Sequence, residues 1–266
     1  MRHNVDMPSA DVPGERSGAG DPDRTLALLW RDRTDGPRRG PRPGLTVDTV
    51  VDAATRLADV AGLGAVTMRR LAEDLGVAPM TLYTYVPGKD ELLDLMLDAA
   101  YLAMPRPDRS ALGWRDRVRG VAEDNRALFA AHPWAATVGT GRPPLGPGQI
   151  AKYEHELRAF DGTAVGDVDR DAALALVLGF VGWHAAREAD VAAARRATAM
   201  DDERWWAANA PLLARVLDES AYPTASRVGS AAGAAHGGTW GAAHAWEFGL
   251  GVLVAGLGPL VEPDAA

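Results

Sequence analysis

Residues 67–89, TMRRLAEDLGVAPMTLYTYVPGK, leave this chain few choices of local fold. Counted from Met68 as position one, Leu71, Ala72, Leu75, Gly76, Val77, Leu82 and Tyr85 fall at positions 4, 5, 8, 9, 10, 15 and 18. Two short helices packed across a tight turn need apolar side chains at these places. They also need a small residue at the crossing and a residue free to turn backwards. Gly76 reaches positive φ without a Cβ clash, so it can end the first helix. Ala72 leaves room for the second helix to cross steeply. The pattern is a helix-turn-helix, and it leaves the residues around Ala78–Thr81 and Thr84 on a face that the core does not claim.

The flanks extend this unit. Thr46 is placed to cap a helix, and Val47, Val50, Val51, Ala54, Leu57, Ala58 and Ala61 follow at helical spacing. Gly62 and Gly64 stop it. Thr67 caps the next helix, Val77 and Ala78 open the third, and Val86 before Pro87 ends it. A fourth helix from Lys89 to about Met104 carries Leu92, Leu93, Met96, Leu97 and Ala100, and Pro105 and Pro107 mark a boundary. Beyond them the pattern is helical throughout: Trp114–Ala131, Gly148–Phe160, Val168–Arg196, Asp201–Ser220 and Thr239–Leu257. Gly- and Pro-rich stretches, HPWAATVGTGRPPLGPG and YPTASRVGSAAGAAHGG, read as loops. The expected fold is all-α, with an N-terminal three-helix helix-turn-helix domain (45–105) and a larger C-terminal helical bundle (106–266). Residues 1–44 form an extension. Its first 24 residues are polar and expected to be disordered, Thr25–Arg31 suits a short helix, and a basic linker follows.

Charge narrows the partners. The chain of 266 residues has a net charge of −8 and no cysteine, so thiolate metal sites and disulfides are excluded. Between Arg24 and Gly44, however, Arg24, Arg31, Arg33, Arg38, Arg39 and Arg42 face only Asp32 and Asp35. That stretch reads either as a solvated linker or as an arm whose arginines, Arg42 among them, enter a DNA minor groove. From Leu45 to Pro105, four basic residues meet nine acidic ones, so DNA affinity there must rest on a few placed contacts. The N-terminus lacks the apolar core of a secretory signal. The apolar runs Ala172–Ala186 and Phe248–Leu260 fall short of the roughly 20 residues of a membrane span. A cytoplasmic protein without membrane attachment is expected.

TLYTYVPGKDELLDLM at 81–96, with the three helices before it, closely resembles the DNA-binding domain of TetR-family repressors. HPW at 132–134 and RPPLGPGQ at 142–149 look like the ligand-binding, dimer-forming domain of one branch of that family. The resemblance implies a homodimeric regulator on double-stranded operator DNA, released by a small-molecule inducer. A regulator answering to a protein partner and a helical enzyme with a DNA-binding head are the alternatives. On the third helix, Ala78, Pro79, Met80 and Thr81 form the first turn, the end that enters the major groove. Pro79 and Met80 suit a thymine methyl, and Thr81 a base edge. Thr84 shares that face. Tyr83, Tyr85, Thr67 and Arg69 can reach phosphates, and Lys89 matches the family's phosphate-contacting lysine.

No catalytic, cofactor or metal signature stands out. None of His3, His132, His155, His184, His236 and His244 pairs with another at i, i+4 or sits in an HExxH arrangement. No nucleophile elbow or phosphate-cradling loop is present. For a ligand cavity, Phe180, Trp183 and His184 are the leading candidates, followed by Phe129 and Trp134. Each has plain core packing as its alternative. Gly241, Ala242, Ala245, Gly249 and Val252 permit close helix approach in a dimer, which would set two recognition helices about 34 Å apart on a palindromic site.

Overall fold

The structure, a computed structural model, describes residues 15–31, 45–237 and 240–262. Among these residues it is all-helical, with no strand beyond one isolated parallel bridge between Arg16 and Gly139. Contacts divide the chain into two units. The first holds the described residues up to Ala103 together with Thr137–Ala151; the second holds Met104–Ala136 and the chain from Lys152 on.

In the first unit, α1 (Pro22–Leu29) precedes α2 (Val47–Ala61), α3 (Met68–Leu75), α4 (Pro79–Tyr85) and α5 (Lys89–Ala103). Thr46 and Thr49 form a reciprocal capping box at the start of α2, with each hydroxyl accepting from the other's amide (3.1 and 2.9 Å). Thr67 Oγ1 accepts from the Arg70 amide (3.2 Å) and starts α3. Gly76 ends α3 at φ +68°, and the Val77 amide reaches back to the Ala72 carbonyl (2.9 Å). Leu71, Ala72, Leu82 and Val86 are fully buried, while Leu75 and Val77 are half-buried.

α5 differs from the amphipathic helix that Leu92 to Ala100 suggest, because it is buried nearly all round. Glu91, Asp94 and Asp98 lie on one stripe and are all buried, Asp94 and Asp98 as deeply as the leucines. Each accepts a backbone N–H. Asp21 donates to Glu91 (3.2 Å), Gly18 to both oxygens of Asp94 (3.0 and 3.2 Å), and Gln149 to Asp98 (2.9 Å). Such charge-assisted bonds satisfy carboxylates that burial would otherwise penalise. Gly148 sits flush on α5: a Cβ there would lie 2.0 Å from the Asp98 carbonyl oxygen.

These bonds correct the expectation of disorder for residues 15–24. The Ser17 hydroxyl donates to the Arg142 carbonyl (2.7 Å), Asp21 caps the Arg24 amide (2.9 Å), and the helix begins at Pro22 rather than Thr25. Leu29 is buried, and Trp30 Nε1 donates to the Leu145 carbonyl (2.8 Å). Residues 1–14 and the linker 32–44 lie outside the described residues.

The second unit contains α6 (Trp114–Ala131), most of α7 (Pro147–Leu157), α8 (Asp167–Thr198), α9 (Asp202–Val216), α10 (Pro223–His236) and α11 (Ala242–Val261). Its core joins Val118, Val121, Leu174, Val177, Trp246 and Leu250 from α6, α8 and α11. Trp246 is 1% exposed; its Nε1 donates to Glu123 (2.8 Å), and Arg126 covers its ring at 4.5 Å. Helix α10 corrects the loop expected over 222–238. Pro223 pre-sets its first turn, the alanines favour it, and Gly237 closes it at φ +65°. α11 starts at Ala242, ahead of the apolar run at Phe248, so at 20 residues it is long and apolar enough to cross a membrane by length and composition. Trp246, Leu250, Val254, Leu257 and Val261 nevertheless form its buried face, as in a core helix. α9 and α10 bury none of their residues in the single chain.

Candidate functional site

The exposed side of α4 is what the packing leaves over. Leu82 points fully inward, while Ala78, Pro79, Met80, Thr81, Tyr83 and Thr84 are exposed, Met80 at 76%. Ala78 occupies the N-cap position with no side-chain cap, and Pro79 follows as the first helical residue. The Thr84 hydroxyl donates to the Met80 carbonyl (3.3 Å). Tyr85 is half-buried between surface and core. The sequence-predicted face is therefore contiguous and solvent-facing.

Around it, Thr67 is exposed at the start of α3, where its hydroxyl is engaged as a cap. Arg69 is well exposed and pairs with Glu73 one turn on (3.1 Å). Arg42 lies outside the described residues. Lys89, the lysine matched to the family's phosphate contact, is half-buried. Its ammonium is ion-paired with Glu15 of the N-terminal segment, each about one-third exposed. Nothing in the spacing of Glu15 announced that contact. The carboxylates at 91, 94 and 98 were legible in principle as one stripe at i, i+3 and i+7. Burial is the main cause that raises the Asp94 carboxyl above its ordinary value, against the hydrogen bond from the Gly18 amide.

In the second unit the structure brings Phe180, Trp183 and His184 together. Phe180 lies 6.5 Å from Trp183 and 6.2 Å from His184, ring centre to ring centre, and Trp246 and Trp240 each stand 5.2 Å from His184. His184 is fully buried; its Nε2–H donates to the Ala242 carbonyl (3.0 Å), and its Nδ1 lies 3.6 Å from Glu188. Trp183 is 56% exposed. Phe129 packs at the edge of the core, and Trp134 is buried beside His132 (6.0 Å). Two cavities open elsewhere in this unit. One of about 650 Å³ is lined by Arg106, Arg109, Arg117, His155 and Arg158 among others. The other, of about 510 Å³, lies between Glu188, Arg195, His236, Trp240 and His244. None of the five predicted ligand residues lines either. A buried polar network, Lys152–Glu156–Asn125, completes the unit: Lys152 Nζ donates to Glu156 (2.7 Å) and Asn125 Nδ2 to its other oxygen (2.5 Å). No cluster of three potential metal ligands occurs among the described residues.

An exposed recognition helix on a buried helix-turn-helix underside, followed by a large helical unit, defines a DNA-binding transcriptional regulator. Comparison with known proteins carries this further. Residues 50–96 match the family described as bacterial regulatory proteins, tetR family, and residues 106–260 the tetracyclin repressor-like C-terminal domain. The HTH-type transcriptional repressor DrrR1 of Streptomyces coeruleorubidus is 41% identical over 210 residues, which span 79% of this chain and 77% of that protein. The tetracycline repressor protein class C of Escherichia coli is 32% identical over 116 residues, 42% of this chain and 51% of its own length. Among solved structures, the Streptomyces coelicolor TetR family protein ActR in complex with (S)-DNPA superimposes with a TM-score of 0.62 at 25% identity, covering 80% of this chain and 96% of that one. The chain belongs to the TetR family of bacterial regulatory proteins.

Proposed function

We propose that this chain acts in the cytoplasm as a homodimer on a palindromic operator and is released from it by a small apolar or amphipathic molecule held in the second unit. The observation that carries the reading is the first turn of α4, exposed along Ala78–Thr81 above a fully buried Leu82. In this reading Ala78, Pro79 and Met80 make apolar contact with bases, and Thr81 and Thr84 meet base edges. Thr67, Arg69, Tyr83, Tyr85 and Lys89 hold phosphates, with Arg42 in the adjacent minor groove. Phe129, Trp134, Phe180, Trp183 and His184 are assigned to the effector. The repressor name of DrrR1 and the small molecule bound to ActR support repression and ligand response.

Dimerisation is assigned to the outer faces of α8 and α11, where Leu176, Phe248 and Val252 are each more than half exposed in the single chain. Gly249, expected to face a mate, instead admits Phe180 of the same chain, whose ring would lie 2.3 Å from a Cβ. Release follows if the effector binds more tightly to the state that cannot span both half-sites. Footprinting DNA around the protein's own gene, at fixed salt, tests the reading. A protected palindrome is expected; absence of specific binding by folded dimer overturns it. Alanine substitution of Trp183 and His184 that leaves inducer affinity intact in folded protein would overturn the effector assignment.

A further inference from the structure

The 650 Å³ cavity of the second unit has the size of a small-molecule site, which typically spans about 300–1,000 Å³. Four guanidinium groups line it: Arg106, Arg109, Arg117 and Arg158. Two carboxylates, Asp108 and Asp161, share the lining, fewer than the arginines. Asp161 pairs with Arg170 (3.2 Å), and Asp108 accepts from the Ser110 amide (2.9 Å).

Three of the arginines already have partners within this unit. Asp124 grips Arg109 through two bonds (2.6 and 2.8 Å), and Glu154 holds Arg158 (2.8 Å). Arg117 donates to three backbone carbonyls, those of Leu112, Ala159 and Asp161, which fix its plane without neutralising its charge. The floor is apolar, because Val121 and Ala159 belong to the unit's core. Burial, more than any neighbour, pulls the His155 imidazole below its ordinary value; Arg109 and Arg106 push the same way, while Asp124 and Glu156 oppose. A guanidinium fork matches a carboxylate in two parallel bonds. A carboxylate alone would fill little of the space, so the rest of the volume calls for an apolar body.

We propose that this cavity binds a small molecule carrying a carboxylate on an apolar, ring-sized body. The claim goes beyond operator release and is tested without DNA. Titration calorimetry of the full chain would compare 2-naphthoate with its uncharged analogue 2-naphthamide. Naphthoate is expected to bind with a millimolar or tighter Kd, and naphthamide roughly tenfold or more weakly. R158A and R106A are each expected to cost naphthoate at least about tenfold, with thermal melts confirming folded protein. Equal affinity for acid and amide, no heat from naphthoate up to about 10 mM, or undiminished naphthoate binding by both folded variants would overturn the proposal. The comparison of acid with amide on the unaltered chain decides the matter even if a variant fails to fold.

Discussion

Replacing Lys152 by methionine tests how the second unit tolerates charge in its interior. Lys152 and Glu156 stand one turn apart on α7, their side chains 9% and 3% exposed, with Nζ 2.7 Å from Oε2. At an effective dielectric of about 20, that separation corresponds to a gross attraction of about 6 kcal/mol. Part of it is offset by the desolvation that the lysine no longer suffers once it is gone. Breaking one side of a buried pair costs about 3–5 kcal/mol, because the remaining charge is left inside. In K152M, Glu156 keeps only the Asn125 amide. For a protein of this size that loss corresponds to a fall of roughly 6–20 °C in Tm. The double variant K152M/E156L, which removes both charges and keeps the volume, should return to within about 1 kcal/mol of the parent. Urea unfolding followed by far-UV circular dichroism, at matched protomer concentration, measures all three. A K152M cost below about 1 kcal/mol, or a double variant no better than the single, would refute the picture of a charge-paired interior.

Three other outcomes are expected. T81A and M80A should weaken operator binding by about 1–3 kcal/mol each in gel-shift titrations, with unchanged Tm; unaltered affinity would remove α4 from the interface. E15Q should free Lys89 for phosphate. A partly exposed pair is worth about 0.2–1 kcal/mol, so over two protomers operator affinity should rise roughly two- to thirtyfold with a steeper salt dependence; equal affinity and salt slope would show that Glu15 does not compete. Asp94, whose carboxyl is raised by burial, binds its proton more tightly folded than unfolded. Its favourable contribution is therefore complete below the ordinary aspartate range and is lost as pH rises through the folded value. D94N, which still accepts from Gly18, should flatten that decline in denaturation curves collected across pH; parallel curves for parent and variant would contradict the sign.

The helix-turn-helix was legible because its constraints are local: Gly76 needs positive φ, Leu71 and Leu82 need burial, and both follow from spacing within 20-odd residues. The exposed face of α4 followed by subtraction. What escaped depends on partners far away in the chain. Asp94 looks like a solvated charge until Gly18, 76 residues earlier, donates to it. Lys89 looks free until Glu15 reaches it. α10 was hidden by its own composition, since the glycines at 229 and 233 resemble a loop while the alanines between them sustain a helix. The arginines of the large cavity come from separate stretches, 106–117 and 158, so no window of sequence holds the cluster.

The stripe of Glu91, Asp94 and Asp98 bears on how far the reading head can be handled as a cassette. Its amide donors come from Gly18 and Asp21 upstream and from Gln149 well downstream, whereas the family match covers only 50–96. A chimera grafted at the edges of that match would cut α5 after Met96 and keep Glu91 and Asp94 while leaving behind their donors, Asp21 and Gly18. Swapping DNA specificity between relatives is therefore safest by exchanging the outward residues of α4 alone. The portable part of this protein is a single helix face.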